Sequence, residues 1–420
     1  MALKNQNSRG TKNCSKRDSP GQFCGPQNLF KSLHKGIKLL DPLTFLQKIM
    51  MIPFFRSFFI FAFIFCGFAP AYAHGGFDFY QIRTCADSGD GSLREAIINA
   101  NDDPQTQIAF QIPNTDSGYN LKTGVFTIEL LSPLPLITAK GTVFDGVAQN
   151  IVADSNRSGP EICISGAKLP RNTSGLVFLA ADCEIKGLTF SDFASHALIF
   201  NGPDARGNRV LGCTFEKNRG CGVVLSDGAS NNFIGLAPPR AKNDDDDFAG
   251  FYPAQMGNIF RGNGEDFVRI AGQNSRGNSV RGNRFEGTSM PLNLRLNGEK
   301  NDQRTPNDAL DADSGPNDAF NFPIIQSVKR APREDGVWHE ITVNYAGKPN
   351  QNLVLDVSWE AQLAIDGTMK SQNVRTDAAG KGFWKMQVQG YPAGKMRAAV
   401  TDENGSTGEM SPVFDVPYLQ

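Results

Sequence analysis

The sequence predicts an all-β protein: a parallel β-helix, which is a solenoid of stacked coils, with an N-terminal capping helix and a C-terminal antiparallel β-sandwich. A short phrase containing Gly recurs at intervals of about 20 to 27 residues, the spacing typical of solenoid repeats. A second short apolar run follows each copy, without a helical period. Further along the chain, short alternating runs between turn residues indicate antiparallel strands.

The segment 1–49 differs from the rest of the chain in composition. It carries nine Lys or Arg, two Asp and no Glu, and its apolar residues follow no period. Such a segment cannot bury enough apolar surface to fold. We therefore expect either a basic disordered extension or a start codon assigned upstream of the true one, at Met50 or Met51.

Residues 50–73 have the layout of a signal peptide. Arg56 precedes an apolar run at 58–68, and small residues follow as far as Ala73. The apolar run is short for a bilayer span, although a membrane anchor is the alternative interpretation. We expect cleavage near Ala73, a secreted or cell-surface location, and no stable membrane insertion of the mature chain.

Cleavage at that position would make the chain acidic. The full sequence has 42 Lys or Arg and 43 Asp or Glu, and the loss of ten basic and two acidic residues leaves 32 and 41. A net charge near −9 disfavours binding to phosphates and anionic lipids. We therefore expect no nucleic-acid partner and no anionic membrane partner.

Five cysteines would remain after cleavage: Cys85, Cys163, Cys183, Cys213 and Cys221. An odd number in a secreted chain leaves at least one thiol free, and the sequence does not fix their pairing. Cys183 and Cys213 occupy related repeat positions and fit the pattern of small buried hydrophobic residues. No pair has the spacing of zinc ligands, so the sequence predicts no zinc site.

Residues 74–104 form the predicted N-terminal cap. Ser92 is followed three residues later by Glu95, which is a capping box that starts a helix. Four apolar residues then fall on one helix face: Leu93, Ala96, Ile97 and Ala100. A solenoid exposes apolar core at its end, so we expect this helix to cover it.

Residues 105–322 form the predicted β-helix. The repeated phrase occupies 185–190, 210–215, 259–263 and 280–285, with a degenerate copy at 231–235. The second apolar runs lie at 197–200, 222–225, 267–270 and 291–296. A loop at 237–257 interrupts one coil, and such insertions often form a binding face. A β-sandwich with irregular turn spacing is the alternative for this region.

Residues 323–420 form the predicted β-sandwich domain. Alternating runs at 340–345, 353–359, 382–388 and 396–401 are separated by Gly, Asn and Pro turns. About 95 residues of this pattern fit an immunoglobulin-like antiparallel sandwich.

One segment, Gly91-Ser-Leu-Arg-Glu-Ala-Ile97, resembles the start of secreted bacterial proteins with a CSLREA-type N-terminal motif. These proteins are similar to the pectin-lyase-like superfamily of right-handed parallel β-helices. Later phrases resemble the same group, at 128–137, 307–317 with 321–323, and 399–408, so the resemblance covers nearly all of 80–415. Gly91 stands where the family has its name-giving cysteine. The resemblance implies a right-handed β-helix and export; many members resemble adhesins, whereas other β-helix families are polysaccharide lyases, hydrolases or epimerases.

An acidic segment near the end of the β-helix is a candidate calcium site. Asp308, Asp311, Asp313 and Asn317 offer oxygen ligands, with Asp318 beside them and a turn glycine within the segment. Calcium takes six to eight oxygens in flexible geometry. Solvated turns are the alternative interpretation. The Asp run at 244–247 is a weaker candidate of the same kind, because adjacent carboxylates on a loop usually repel each other in solvent.

Lys186, Arg261 and Arg281 precede Gly at matching coil positions, so we expect that they could form a discontinuous ladder of cations. In a lyase, a cationic residue of lowered pKa would remove the proton beside a uronic carboxylate, with calcium acidifying it. Arg261 and Arg281 are thus the catalytic candidates, and ordinary surface charge is the alternative. Glu265 and Asp266 are adjacent and would point to opposite faces of a strand, so they are a poor carboxylate pair.

Two function classes therefore remain open. The first is a secreted or cell-surface, adhesin-like protein that binds a glycan or a host or cell surface without catalysis. The second is a calcium-dependent polysaccharide lyase acting on an acidic polysaccharide. A lyase should bring a cationic cluster and acidic metal ligands together on one face, whereas a binding protein should present a broad polar or aromatic stripe.

Overall fold

Strands dominate the computed structural model, so the all-β class is confirmed. The structure describes residues 79–150, 154–156, 158–236, 257–296, 303–334, 336–359, 369–390, 392 and 394–417, which belong to one compact unit, Gly76–Gln420. The predicted extension and signal peptide lie outside the described residues. So does most of the predicted 237–257 loop, including its Asp run.

The first part of the described chain forms short strands. In chain order they are β1 (Phe79–Ile82), β2 (Gln107–Phe110), β3 (Tyr119–Asn120), β4 (Val125–Glu129), β5 (Val143–Asp145), β6 (Ile162–Ser165), β7 (Leu176–Phe178), β8 (Glu184–Lys186), β9 (Leu188–Ser191), β10 (Leu198–Asn201), β11 (Arg209–Leu211), β12 (Thr214–Glu216), β13 (Val223–Ser226), β14 (Phe233–Gly235), β15 (Ile259–Arg261), β16 (Val268–Ala271), β17 (Ser279–Arg281), β18 (Arg284–Glu286) and β19 (Leu292–Arg295).

These strands make three sheets. Sheet 1 has the order β1-β2-β5-β8-β11-β14-β17, sheet 2 the order β18-β15-β12-β9-β6-β4-β3, and sheet 3 the order β19-β16-β13-β10-β7. The strand pairs are parallel, except that β3 and β4 are antiparallel. From β5 to β19 the chain passes through sheets 1, 2 and 3 in rotation. Each passage places its strands beside those of the previous one.

Helix α1 (Leu93–Asp102) lies against β1 and β2, at one end of sheet 1. Ser92 Oγ accepts a hydrogen bond from Glu95 N at 3.3 Å, and Glu95 Oε2 accepts one from Gly91 N at 2.7 Å. The predicted capping box is therefore confirmed. The four predicted apolar residues of α1 are buried and join the core.

Phenylalanines fill the core in line from one strand to the next. Phe190, Phe215, Phe260 and Phe285 occupy paired positions of sheet 2. Their ring centroids are successively 5.4, 4.8 and 5.4 Å apart. Stacked aromatic pairs add about 0.5–1.5 kcal/mol each beyond the burial of their area. The same side chain in successive passages thus packs on its own counterpart.

Asparagines connect the turns between the sheets. They form three lines: Asn208–Asn232–Asn278–Asn317, Asn218–Asn263 and Asn258–Asn283. In each line the Oδ1 atom of one residue accepts a hydrogen bond from the backbone N–H of the residue before it in the line, at 2.9 to 3.2 Å. A buried backbone N–H without an acceptor would cost about 1–3 kcal/mol. Each line therefore satisfies groups that the turns would otherwise leave unpaired.

The alignment of the repeated phrase was wrong at one copy. Ile259, expected to match Val210, pairs with Thr214 in sheet 2, whereas Val210 and Val280 lie in line in sheet 1 on either side of Ile234. The reason is that Gly-Asn marks all three turns between the sheets. At 207, 262, 277 and 282 the glycine before the asparagine has φ between +63° and +69°, which favours glycine.

The C-terminal part forms two antiparallel sheets. Its strands are β20 (Ile324–Arg333), β21 (Gly336–Ala346), β22 (Asn352–Trp359), β23 (Met369–Arg375), β24 (Lys381–Gln389), β25 (Gly394–Asp402) and β26 (Phe414–Val416). Sheet 4 has the order β20-β21-β24, and sheet 5 the order β23-β22-β25-β26. Apolar residues from both sheets share a second core.

Candidate functional site

Three of the four predicted calcium ligands come together. Asp308, Asp311 and Asp313 each place a carboxylate oxygen within 4.8 Å of the other two. The two oxygens of Asp308 also accept hydrogen bonds from Ala312 N at 3.2 and 3.0 Å, which folds the segment into a tight turn. Asp308 therefore stabilises the turn and also contributes a carboxylate to the cluster.

Asp311 is the buried member of this cluster, with 1% of its surface exposed. One of its oxygens accepts a hydrogen bond from Asn321 N at 2.7 Å, and the other, Oδ2, has no hydrogen-bond partner among the described residues. Lys348 Nζ lies 3.9 Å from Oδ2. Burial raises the pKa of Asp311 to about 6, and the Asn321 hydrogen bond and the Lys348 charge offset this only in part. The carboxylate would thus gain from a closer cation.

Asn317, the fourth predicted ligand, makes its side-chain hydrogen bonds elsewhere, so the described contacts do not support it as a ligand. Its Oδ1 accepts a hydrogen bond from Asn278 N at 3.0 Å, and its Nδ2 donates to Asn278 O and Thr407 O. Asn317 therefore ends an asparagine line. Asp318 faces Arg276 at 3.1 Å instead.

Arg281, a catalytic candidate, is buried between sheet 1 and the C-terminal part. Its guanidinium donates from Nε and Nη2 to the two oxygens of Asp356, at 2.6 and 2.8 Å. Ser371 Oγ donates to the same carboxylate at 2.5 Å. Arg281 is 5% exposed. This pair joins β17 to β22 and leaves the guanidinium inaccessible to a polymer.

Lys186 lies on the same line of sheet 1 and is also paired. Its Nζ is 3.3 Å from both Asp145 and Glu184. Burial acts to lower the pKa of Lys186, but the two carboxylates outweigh it and raise the pKa. A base for proton abstraction needs a lowered pKa, so this lysine lacks the property expected of a lyase base.

Arg261, the other catalytic candidate, is not on that line, so the predicted ladder was wrong. It lies in sheet 2, in register between Glu216 and Glu286, and its Nε donates to Glu216 Oε2 at 2.6 Å. The Arg261 side chain is 49% exposed. Sheet 2 thus presents alternating charges rather than a run of cations.

Sheet 2 carries a polar stripe next to its core phenylalanines. We use this name for Ser165, Ser191, Glu216, Arg261 and Glu286, which occupy paired positions on neighbouring strands. Neighbouring parallel strands are about 4.8 Å apart, so the stripe has a regular spacing.

Sequence reasoning missed a second polar cluster. Glu265 and Asp266 lie in the turn before β16, where both face Arg269, at 3.0 and 2.6 Å. The expectation that they point apart was wrong because they precede the strand. His196 and Cys221 lie beside them. A signal for this cluster is present in the sequence. His196 and Cys221 each lie two residues before a strand of sheet 3, and one repeat separates them.

Neither a family model nor a curated protein matches this chain. Within the described residues, every helix is too short or too polar to cross a bilayer.

Proposed function

We propose that this chain is a secreted or cell-surface protein that binds a polysaccharide or another cell-surface ligand and is not an enzyme. In this proposal the three parallel sheets are the walls of a right-handed parallel β-helix, and sheets 4 and 5 form an immunoglobulin-like β-sandwich. The rotation of the chain through three sheets and the CSLREA-like segment support it. The export signal is proposed from the sequence alone.

The observation that carries the non-catalytic proposal is the pairing of the candidate cations. Lys186 and Arg281 each meet carboxylates in sheet 1 or at its border, and Arg261 meets Glu216 in sheet 2. A lyase needs a cationic base of lowered pKa close to its metal ligands. The outer end of the polar stripe, by contrast, offers a glycan polar side chains at strand spacing, namely Glu216, Arg261 and Glu286, whereas Ser165 and Ser191 are buried.

The experiment compares binding and cleavage in one sample. The full chain is incubated with pectate, alginate, glycosaminoglycans and neutral polysaccharides, with and without calcium. Retention on a polysaccharide and unsaturated, ultraviolet-absorbing products are both recorded. We expect retention on at least one polysaccharide without such products. Calcium-dependent unsaturated products would establish the lyase. Absence of retention on every polysaccharide would refute polysaccharide binding.

A matched pair of variants tests the polar stripe itself. Arg261→Glu would place three glutamates in register, whereas Arg206→Glu changes an arginine of similar exposure, 57% against 49%, in a turn outside the stripe. We expect Arg261→Glu to weaken retention at least tenfold and Arg206→Glu to leave it unchanged. If both variants were retained equally, the binding surface would not include sheet 2.

We also propose that calcium binds Asp308, Asp311 and Asp313. Two observations support this: the buried Asp311 Oδ2 atom has no hydrogen-bond partner among the described residues, and one oxygen of Asp311 lies within 4.8 Å of the carboxylates of Asp308 and Asp313. The ion would be structural, because the cluster lies beside Asn321, whose Nδ2 donates to Asp308 O and to Ala346 O of β21.

A further inference from the structure

Three side chains outside the stripe and the aspartate cluster meet where three equivalent turns lie side by side. His196 and Cys221 each stand two residues before a strand of sheet 3, β10 and β13, and Glu265 stands three residues before β16. These strands are parallel neighbours in register. Since such strands lie about 4.8 Å apart, residues separated by one repeat become neighbours in space.

The donor atoms of this group have the spacing of metal ligands. One atom from each side chain lies within 4.8 Å of the other two. Cys221 Sγ donates a hydrogen bond to Glu265 Oε2 at 3.7 Å, and Arg269 Nη1 lies 3.0 Å from the same oxygen. In a tetrahedral zinc site with Zn–S about 2.3 Å and Zn–O about 2.1 Å, the sulfur and oxygen are about 3.6 Å apart. The thiol and the carboxylate therefore already have the separation that zinc requires.

The surrounding charges favour a divalent cation. Among the described residues, Arg269 is the cation that pairs with the cluster, and it faces the two carboxylates of Glu265 and Asp266. One negative charge thus remains, and a Cys221 thiolate would make it two. Asp266 is 1% exposed, and a buried excess charge is costly. A divalent ion would bring the group to neutrality.

Two of the three proposed ligand residues are partly exposed, so an ion can reach the group from solvent. Cys221 is fully buried, whereas the Glu265 side chain is 33% exposed and His196 is half-buried. Cys221 N donates a hydrogen bond to His196 Nδ1 at 2.9 Å, so the neutral ring carries its proton on Nε2. A metal needs an unprotonated ring nitrogen, so its binding must shift that proton or replace this hydrogen bond.

We propose that His196, Cys221 and Glu265 bind a zinc ion and leave one coordination position open. Soft thiolate and imidazole ligands select zinc over calcium, and three protein ligands with an open position are typical of reactive rather than purely structural sites. The inference goes beyond polysaccharide binding and does not depend on it, because none of its residues belongs to the polar stripe.

Cobalt provides the test, because it substitutes for zinc and absorbs light. The full chain is treated with a chelator, reduced, and titrated with cobalt and then zinc. We expect one cobalt per chain at this site, a thiolate-to-cobalt charge-transfer band, and its loss when zinc is added. Cys221→Ser and His196→Gln should each lower zinc affinity about 100-fold or more, because even groups that only support ligands contribute 10–100-fold.

Two control variants locate the effect. Cys163→Ser removes a partly exposed thiol of sheet 2, and Asp311→Asn alters the aspartate cluster, so both should keep the band. His196→Gln also retains a hydrogen-bond acceptor for Cys221 N, which guards against loss by misfolding. A band that survives Cys221→Ser, or no thiolate band at all in the folded protein, would overturn the proposal. A nitrogen-15 spectrum of His196 should change tautomer or protonation pattern on zinc binding.

Discussion

The two ends of the three-sheet region are closed by different chemistry. At the end formed by β1, helix α1 places four apolar side chains over the core. At the end formed by β17 and β19, polar side chains of the C-terminal part accept hydrogen bonds from backbone N–H groups. The acceptors are Ser406, Thr407 and Glu409, and the donors are Gly277, Val280, Leu294 and Thr305.

The difference follows from what each end leaves uncovered. The core at the first end needs apolar cover, which a helix with one apolar face supplies. The last strands of a parallel sheet instead present unpaired backbone groups, which attract other strands unless they are bonded. Glu409 alone satisfies two of them, with both distances 2.9 Å, while it is itself fully buried. The polar end is therefore the more vulnerable one to single substitutions.

The largest effect is expected at the ion pair that fastens the polar end. Arg281→Ala leaves Asp356 buried without its guanidinium, and removal of one partner from a buried pair costs about 3–5 kcal/mol of unfolding free energy. Denaturant unfolding measures this change in the free energy of unfolding. Arg261→Ala, at the exposed pair, should cost less than about 1 kcal/mol. The double variant Arg281→Met, Asp356→Leu should recover most of the loss; equal effects of the two single variants would contradict the assigned burial.

A somewhat smaller loss is expected from the carboxylate of the polar end. Glu409→Ala removes the carboxylate that accepts hydrogen bonds from the N–H groups of Leu294 and Thr305, each worth about 1–3 kcal/mol, so we expect about 3 kcal/mol in total. Glu403→Ala is the matched control, since Glu403 is exposed and bonds only to Asn352 in the described structure. Backbone hydrogen exchange should rise at Leu294 and Thr305 in Glu409→Ala alone. Unchanged exchange there would show that the end is closed by other contacts.

The apolar end should respond to loss of packing. Ile97→Ala removes a side chain that is 1% exposed, and such truncations cost about 2–3 kcal/mol at a site that can partly collapse. Ile98→Ala, on the next residue of the same helix, changes a side chain that is 50% exposed and should cost a few tenths, about 0.5 kcal/mol at most. Comparable losses for the two would mean that α1 does not cover the core as described.

The same contrast explains what could be predicted from the sequence. The capping box of Ser92 and Glu95 and the apolar face after it are local patterns, and both are confirmed. The roles of Arg281 and Glu409 depend on partners 75 to 115 residues away, which no local pattern connects to them.

The candidate site shows the same limit. Three aspartates of one segment could be brought together correctly, because a single turn holds them. The amide of Asn317 continues a line that starts more than 100 residues earlier at Asn208, and no local pattern shows this. His196 and Cys221 were missed because only the repeat length relates them.

Calcium at the three aspartates should have an effect no larger than that of Ile97→Ala, and one that falls with the calcium concentration. If calcium binds the three aspartates, it stabilises the folded chain by about 2.7 kcal/mol when its concentration is a hundred times the dissociation constant. A chelator should then lower the midpoint of thermal unfolding, and Asp311→Ala with Asp313→Ala should remove that sensitivity.

A variant of Lys348 tests whether a metal ion or this lysine supplies the positive charge for the three aspartates. Its ammonium lies 3.9 Å from Asp311 Oδ2 and repels an incoming ion. Lys348→Ala should therefore bind calcium more tightly and gain more from it than the unchanged chain. If chelation has no effect on either form, and Lys348→Ala is simply less stable, then the lysine is the cation of this cluster. In that case the aspartate cluster is neutralised by the protein and needs no metal.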